Sequence, residues 1–233
     1  MALRGSLPLY LQISEMLIRD IAAGRLIDGE RLPPEREMAA RLGIAVGTLR
    51  QALKDLAEKG MLERRQGSGN YVRAASDPKS VYAMFRLELV EGGGLPTADV
   101  LSVERCPKDA DLPAFGTSAE GHRIRRLRYL SGQLAAVEEI WLDGGYIDAI
   151  GPDDLMESLY LFYRTRLNLR IVRAEDSIGQ GRVPEWSPAA FPHAPGTPVP
   201  FITRISWAQD DRRAEVSRTW FDPERVRYVA RLK

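Results

Sequence analysis

Arg126 and Arg128 stand two residues apart in the run Ile-Arg-Arg-Leu-Arg-Tyr-Leu at 124–130. The run reads as a β-strand, and side chains two apart on a strand share a face. Two guanidiniums on one sheet face are costly unless an anion or a carboxylate meets them. On the adjoining predicted strand Glu138 shares a face with Ile140 and Leu142, and on the last one Glu215, Ser217 and Phe221 share a face. These residues suit either the capture of an anionic ligand or a cross-strand ladder of ion pairs with no ligand at all. A second polar set is helical. Over residues 46–59, Leu49, Ala52, Leu53 and Leu56 form a buried-face stripe, and Gly47, Arg50, Gln51 and Lys54 lie opposite. Such a face could donate to the groove edge of a nucleic acid or simply be solvated. Chemistry of turnover is harder to place. His122, His193 and the single Cys106 stand apart, with no Ser/His/Asp, Cys/His or metal-ligand set. The reading is therefore not an enzyme, with no metal and no cofactor.

The elements that must position these groups follow from pattern. Glu35–Leu42 reads as a short helix after Pro34, with Glu35 and Glu37 in its first turn and Gly43 as its stop. With the helix over 46–59, ended by Gly60, it makes a helix-turn-helix. Residues 61–66 and 70–72 around Gly67-Ser68-Gly69 form a hairpin, with Arg64 and Arg65 just before its tip, so the unit is a winged helix. A helix from Pro8 to about Ala23, with Tyr10, Ile13, Leu17 and Ile21 as its apolar stripe, packs behind it. Residues 74–80 read as a linker. Beyond it, strands are expected at 100–106, 124–130, 135–142, 170–178, 199–209 and 214–221. Ser131-Gly132-Gln133 and Asp210-Asp211-Arg212 serve as turns. Helices are expected at 153–166 and 187–191. The fold class is a winged-helix N-terminal domain over 1–73 plus an α+β domain with an antiparallel sheet over 81–233.

A length of 233 residues and 44% apolar content suit two domains with cores of their own. The formal charge of +1 excludes a polybasic nucleic-acid binder, yet residues 1–73 hold 12 Lys/Arg against 9 Asp/Glu. One cysteine excludes an internal disulfide and a cysteine-cluster metal site. No apolar run is long enough to span a membrane and no leader is evident, so the expectation is a cytoplasmic protein without a membrane partner.

The ordered motif Leu-Pro-Pro-Glu-Arg-Glu, Leu42-Gly43, Thr-Leu-Arg-Gln-Ala-Leu, Lys59-Gly60 and Gln-Gly-Ser-Gly-Asn-Tyr-Val, within 32–72, resembles the DNA-binding domain of the GntR transcription regulators. The resemblance implies DNA contacts from Arg36, Thr48, Arg50, Gln51, Gly67, Ser68 and Gly69. Lys54 and Arg65 join them from the polar helix face and the hairpin. Two departures stand out. Pro34 replaces the usual Ser, which removes a helix cap, and Ala45-Val46 replaces Ser-Arg, which removes a phosphate or base contact.

The second half resembles the UTRA effector-binding domain of the HutC subfamily, whose fold is related to that of chorismate lyase. Four pieces carry the likeness: 125–142, Asp-Leu-Met-Glu-Ser-Leu-Tyr at 154–160, Pro-Gly-Thr-Pro-Val with Ile-Thr-Arg, and Ala-Glu-Val-Ser-Arg-Thr-Trp-Phe at 214–221. The resemblance implies that Arg126, Arg128 and Ser158 hold an anionic group of an effector. Glu138, Tyr160 and Glu215 take its polar groups, and Phe221 stands where a Tyr is common. Tyr160 as plain core and Ser158 as a helix cap remain open. The segment 184–194 departs from the usual pattern. The implied function is a homodimeric regulator, a repressor by analogy, on a near-palindromic DNA operator and released by a small anionic effector. A lyase-like enzyme and a constitutive DNA binder with a mute second domain are the alternatives.

Overall fold

The computed structural model describes residues 8–73, 84–155 and 158–231. The segment expected as a linker, 74–80, lies outside the described residues. Contacts divide the chain into two units, one ending at Leu87 but rejoined by the residues from Tyr228 on, the other running from Glu88 to Arg227.

The first unit contains α1 (Leu9–Ala22), α2 (Glu35–Leu42), α3 (Val46–Glu58), β1 (Leu62–Arg65) and β2 (Gly69–Val72). Its core is the predicted stripe, with Leu49, Ala52, Leu53 and Leu56 of α3 and Ile13, Leu17 and Ile21 of α1 all buried. Gly43 ends α2 in the left-handed conformation at φ 64°, where a side chain would be strained. The two departures at the helix starts have visible results. Pro34 and Ala45 occupy the N-cap positions of α2 and α3, and neither helix has a side-chain cap. The wing pairs Leu62 with Val72 through to Arg65 with Gly69. Gly29, Leu32 and Val72 extend it with backbone bonds of 2.9 Å, so β2 is flanked on both sides.

The second unit is built on a six-stranded antiparallel sheet in the order β4-β5-β6-β9-β8-β7. The strands are β4 (Pro96–Pro107), β5 (Glu120–Leu130), β6 (Gln133–Asp143), β7 (Ile171–Arg182), β8 (Pro198–Ala208) and β9 (Arg213–Phe221). Two short strands, β3 (Leu87–Leu89) and β10 (Val226–Tyr228), form a sheet of their own that the alternation did not reveal. Leu130 pairs with Gln133 across Ser131 and Gly132, at φ 48° and 77°, a two-residue turn whose twist matches the strands.

One helix, α4 (Leu159–Arg166), covers one face of the sheet. Leu159, Phe162 and Tyr163 pack there against Ile124, Ile140, Leu142 and Ala214. On the other face Leu127, Val137 and Trp220 pack against Val183 and Phe191.

Two expectations need correction. The helix over 153–166 is broken into a single 3-10 turn at Pro152–Asp154 and α4, because Leu155 is extended at ψ 136° and Ser158 starts a new helix. No helix forms at 187–191. Prolines at 184, 188 and 192 leave turns, closed by Ser187 N–H to Pro184 O and Phe191 N–H to Pro188 O at 2.9 Å.

Candidate nucleic-acid interface and effector site

In the first unit the polar face of α3 is presented as the pattern requires. Arg50, Gln51 and Lys54 are exposed and Thr48 is half-buried, while their neighbours Leu49 and Leu53 are sealed in the core. Arg36 is exposed on α2 and meets no protein polar group among the described residues. Lys54 pairs with Glu58 one turn on, at 3.7 Å. At the wing, Gly67 and Gly69 have φ of 72° and 121°, so the tip needs glycine at both. Ser68 and Tyr71 share a hydroxyl hydrogen bond of 2.7 Å, and Arg65 lies over the Tyr71 ring at 4.2 Å. The sequence-predicted residues thus lie on α2, α3 and the wing tip, all within one unit. Glu35 is more than an acid favoured by the helix dipole. It also accepts a 2.6 Å hydrogen bond from Arg50 Nε and lies 3.7 Å from Arg64 Nη2.

In the second unit, register fixes what shares the α4-covered face. Arg128 lies opposite Ala136, which lies opposite Phe221; Arg126 lies opposite Glu138, which lies opposite Thr219. Four residues along β6, Leu142 lies opposite Glu215, which lies opposite Ser206. At about 3.3 Å per residue the Glu138 and Glu215 rungs are about 13 Å apart. On the strands, Arg126, Arg128 and Glu138 therefore fall in one group and Glu215 in a second, though the Arg126 charge still acts on Glu215.

The first group is Arg126, Arg128 and Glu138. Arg126 Nε donates to Glu138 Oε2 at 2.5 Å and Arg128 Nη2 donates to the same oxygen at 3.1 Å. All three side chains are buried. Burial alone would push the Glu138 pKa up, but Arg126 and Arg128 outweigh it and hold it at about 2. One carboxylate thus serves two guanidiniums. Arg126 Nη1 is buried and donates to no atom of the described residues. An unsatisfied buried donor on a cation is costly, and an anion oxygen would satisfy it.

The second group surrounds Glu215. Tyr163 and Ser206 donate to its two oxygens at 2.6 and 3.0 Å, and Tyr160 donates at 3.2 Å. Burial raises the Glu215 pKa despite these donors. Tyr160 is raised by burial and then by the Glu215 charge. Beside them Arg204 makes a two-pronged pair with Asp176, both contacts 2.6 Å. Glu215 thus takes its hydrogen bonds from hydroxyls, while the Arg204 and Arg126 charges act on it from farther off. Tyr160 is not plain core, because its hydroxyl links Ser206 and Glu215. Ser158 caps α4, accepting from Leu161 N–H at 3.4 Å. Phe221 is buried on the arginine side of this face.

Sequence reasoning missed Tyr163, Arg204, Ser206 and Asp176. Period two on 198–208 could have found Arg204 and Ser206, which alternate with Ile205 and Trp207. His122 Nε2 meets Ile147 O at 2.8 Å and His193 Nε2 meets Asp222 at 3.1 Å. Among the described residues, no group of three or more His, Cys, Asp or Glu is placed to hold a metal, and no helix is long and apolar enough to cross a membrane.

Comparison with known proteins agrees with this division. Residues 9–72 match the model for bacterial regulatory proteins of the gntR family, and residues 91–227 match the UTRA domain. The HTH-type transcriptional regulator SmoD of Agrobacterium fabrum is 66% identical over 229 residues, covering 98% of both chains. The mannosyl-D-glycerate transport/metabolism system repressor MngR of Escherichia coli is 31% identical over 182 residues, covering 75% of each. The solved ligand-binding domain of a GntR-family regulator from Bordetella bronchiseptica has the same fold as the second unit. Its TM-score is 0.55 at 21% identity, covering 64% of this chain and 96% of that one. A helix-turn-helix unit with an exposed, donor-rich face on α3, followed by a UTRA domain, and the matches to both family models make this chain a member of the GntR family of bacterial transcriptional regulators, and a DNA-binding regulator rather than an enzyme.

Proposed function

We propose that the protein is a homodimeric, cytoplasmic repressor that binds a near-palindromic operator and is released from it by a small anionic metabolite held at Arg126 and Arg128. The observation that carries the reading is the buried Nη1 of Arg126, left without an acceptor where two guanidiniums share one carboxylate. Glu215, Tyr160 and Ser206 would take hydroxyl or other polar groups at the far end of the ligand. Phe221, in place of a tyrosine, makes the arginine end less polar.

The repressor role is supported by the name of MngR, a repressor at 31% identity. In the DNA-binding unit the assigned contacts are Arg36, Thr48, Arg50, Gln51, Lys54, Arg65, Gly67, Ser68 and Gly69. A dimer would place two reading helices on half-sites one helical turn, about 34–36 Å, or a multiple of that apart. The ligand need supply only about 1–3 kcal/mol of coupling to change operator affinity 5–150-fold.

The test is a thermal-shift panel of carboxylates, phosphates and sulfonates on the full chain. Each stabilising compound is then added to the protein bound to a duplex selected from a random pool. A compound that stabilises and also releases DNA supports the reading. Release by none of the stabilising compounds contradicts it.

A further inference from the structure

A carboxylate on a DNA-facing surface repels phosphate, so Glu35 among the proposed DNA-contacting groups calls for a reason. It is the first residue of α2, and its side chain is 24% exposed. Stability is a poor reason, because pairs with arginines as exposed as Arg50 and Arg64, 64% and 60%, are worth little. Geometry offers a better one. Glu35 Oε2 accepts from Arg50 Nε at 2.6 Å, and Glu35 Oε1 lies 3.7 Å from Arg64 Nη2. Arg64 Nε in turn donates to Asn70 Oδ1 on the partner strand of the wing, at 3.4 Å. A single carboxylate therefore joins α2, the reading helix α3 and the wing.

The contact with Arg50 uses Nε alone. It leaves Nη1 and Nη2, the end-on pair of a guanidinium fork, which matches the O6 and N7 acceptors of guanine. A long arginine side chain loses much rotamer freedom when it grips a base. One already held by its Nε has less to lose.

We propose that Glu35 is a positioning residue for sequence reading. It holds the Arg50 fork in an end-on presentation on α3 and ties the wing arginine Arg64 to the same point, so that selectivity for a base pair, rather than attraction to DNA, depends on it. This rests on the assignment of Arg50 as a DNA contact. The opposite reading makes Glu35 a competitor that occupies Arg50 and must be displaced by DNA.

The two separate in a double-mutant cycle on the full chain. Wild type, Glu35→Gln, Arg50→Ala and the double variant are titrated by fluorescence anisotropy against two duplexes. One is selected by the wild type from a random pool, and the other is a random sequence of the same length. Selectivity is the ratio of the two affinities. Glu35→Gln is expected to lower that ratio about tenfold, a part of what one bidentate base contact supplies. Its random-duplex affinity holds or rises, because a negative charge has gone. In the Arg50→Ala background Glu35→Gln costs no further selectivity. An unchanged or higher ratio in Glu35→Gln overturns the proposal, as does an effect fully additive with that of Arg50→Ala. If Arg50→Ala itself keeps wild-type selectivity, the assignment of Arg50 has failed, and that outcome is visible independently of Glu35. Melting temperatures of all four proteins identify any loss of fold; Glu35→Asp, which keeps the charge but shortens the reach, is expected to fall between wild type and Glu35→Gln.

Discussion

Arg126 donates its Nε to Glu138 at 2.5 Å while the Nη1 of the same buried guanidinium meets no acceptor among the described residues. The ion pair anchors the side chain, and the orphan donor is what an arriving anion would satisfy. Arg126→Met should keep a folded protein, since Glu138 retains Arg128, but should abolish the stabilisation and DNA release produced by an anionic ligand. An unchanged response would return Arg126 to a purely structural ladder.

Removing Glu138 should be more damaging than removing either arginine. Glu138→Leu removes the carboxylate that both buried arginines contact, a loss on the order of 3–5 kcal/mol by the usual cost of breaking a buried pair. Chemical denaturation measures it. Small anions such as sulfate should recover part of the loss in this variant and less in the wild type.

The two buried glutamates should respond to pH in opposite directions. The folded pKa of Glu138 is depressed to about 2, so its contribution is present above the ordinary carboxylate value and disappears as pH falls toward 2. The folded pKa of Glu215 is raised by burial, so the folded state takes up its proton first and gains stability as pH falls through that raised value. Denaturation of wild type and Glu215→Gln across the mildly acidic range should show that gain only in the wild type. Parallel curves would contradict the assignment.

Neighbouring residues on α3 should separate stability from DNA binding. Leu49→Ala empties a fully buried position and should cost about 2–5 kcal/mol in a denaturant titration. Arg50→Ala, one residue on and exposed, should leave the melting temperature unchanged and sharply reduce, without erasing, preference for a selected duplex. Effector binding should survive it. Equal loss of both functions in Arg50→Ala would contradict the division of labour between the units.

Much of this was legible because periodicity is local. The α3 stripe, its glycine stop, the wing glycines and the shared face of Arg126 and Arg128 follow from spacing alone. What spacing does not give is partner choice across strands. Alternation alone allows Glu215 to face the arginines, and the register instead sets it four residues along from Glu138, against Ser206 and bonded to Tyr163. Arg204 escaped because its partner, Asp176, is 28 residues away on an edge strand. The helix expected at 187–191 failed for a local reason that the sequence did contain, three closely spaced prolines. Ser158 caps α4, which starts anew after the turn at Pro152–Asp154, a break that the helical pattern over 153–166 does not show.

The central claim is that an anion at Arg126 and Arg128 controls DNA binding. The most direct test is anisotropy of the full chain on a selected duplex, titrated with the anion that most raises its melting temperature, in wild type and Arg126→Met. The account predicts that this anion releases DNA from the wild type and leaves the Arg126→Met complex intact at the same concentration. Equal release from both proteins, or stabilisation without release, would contradict it.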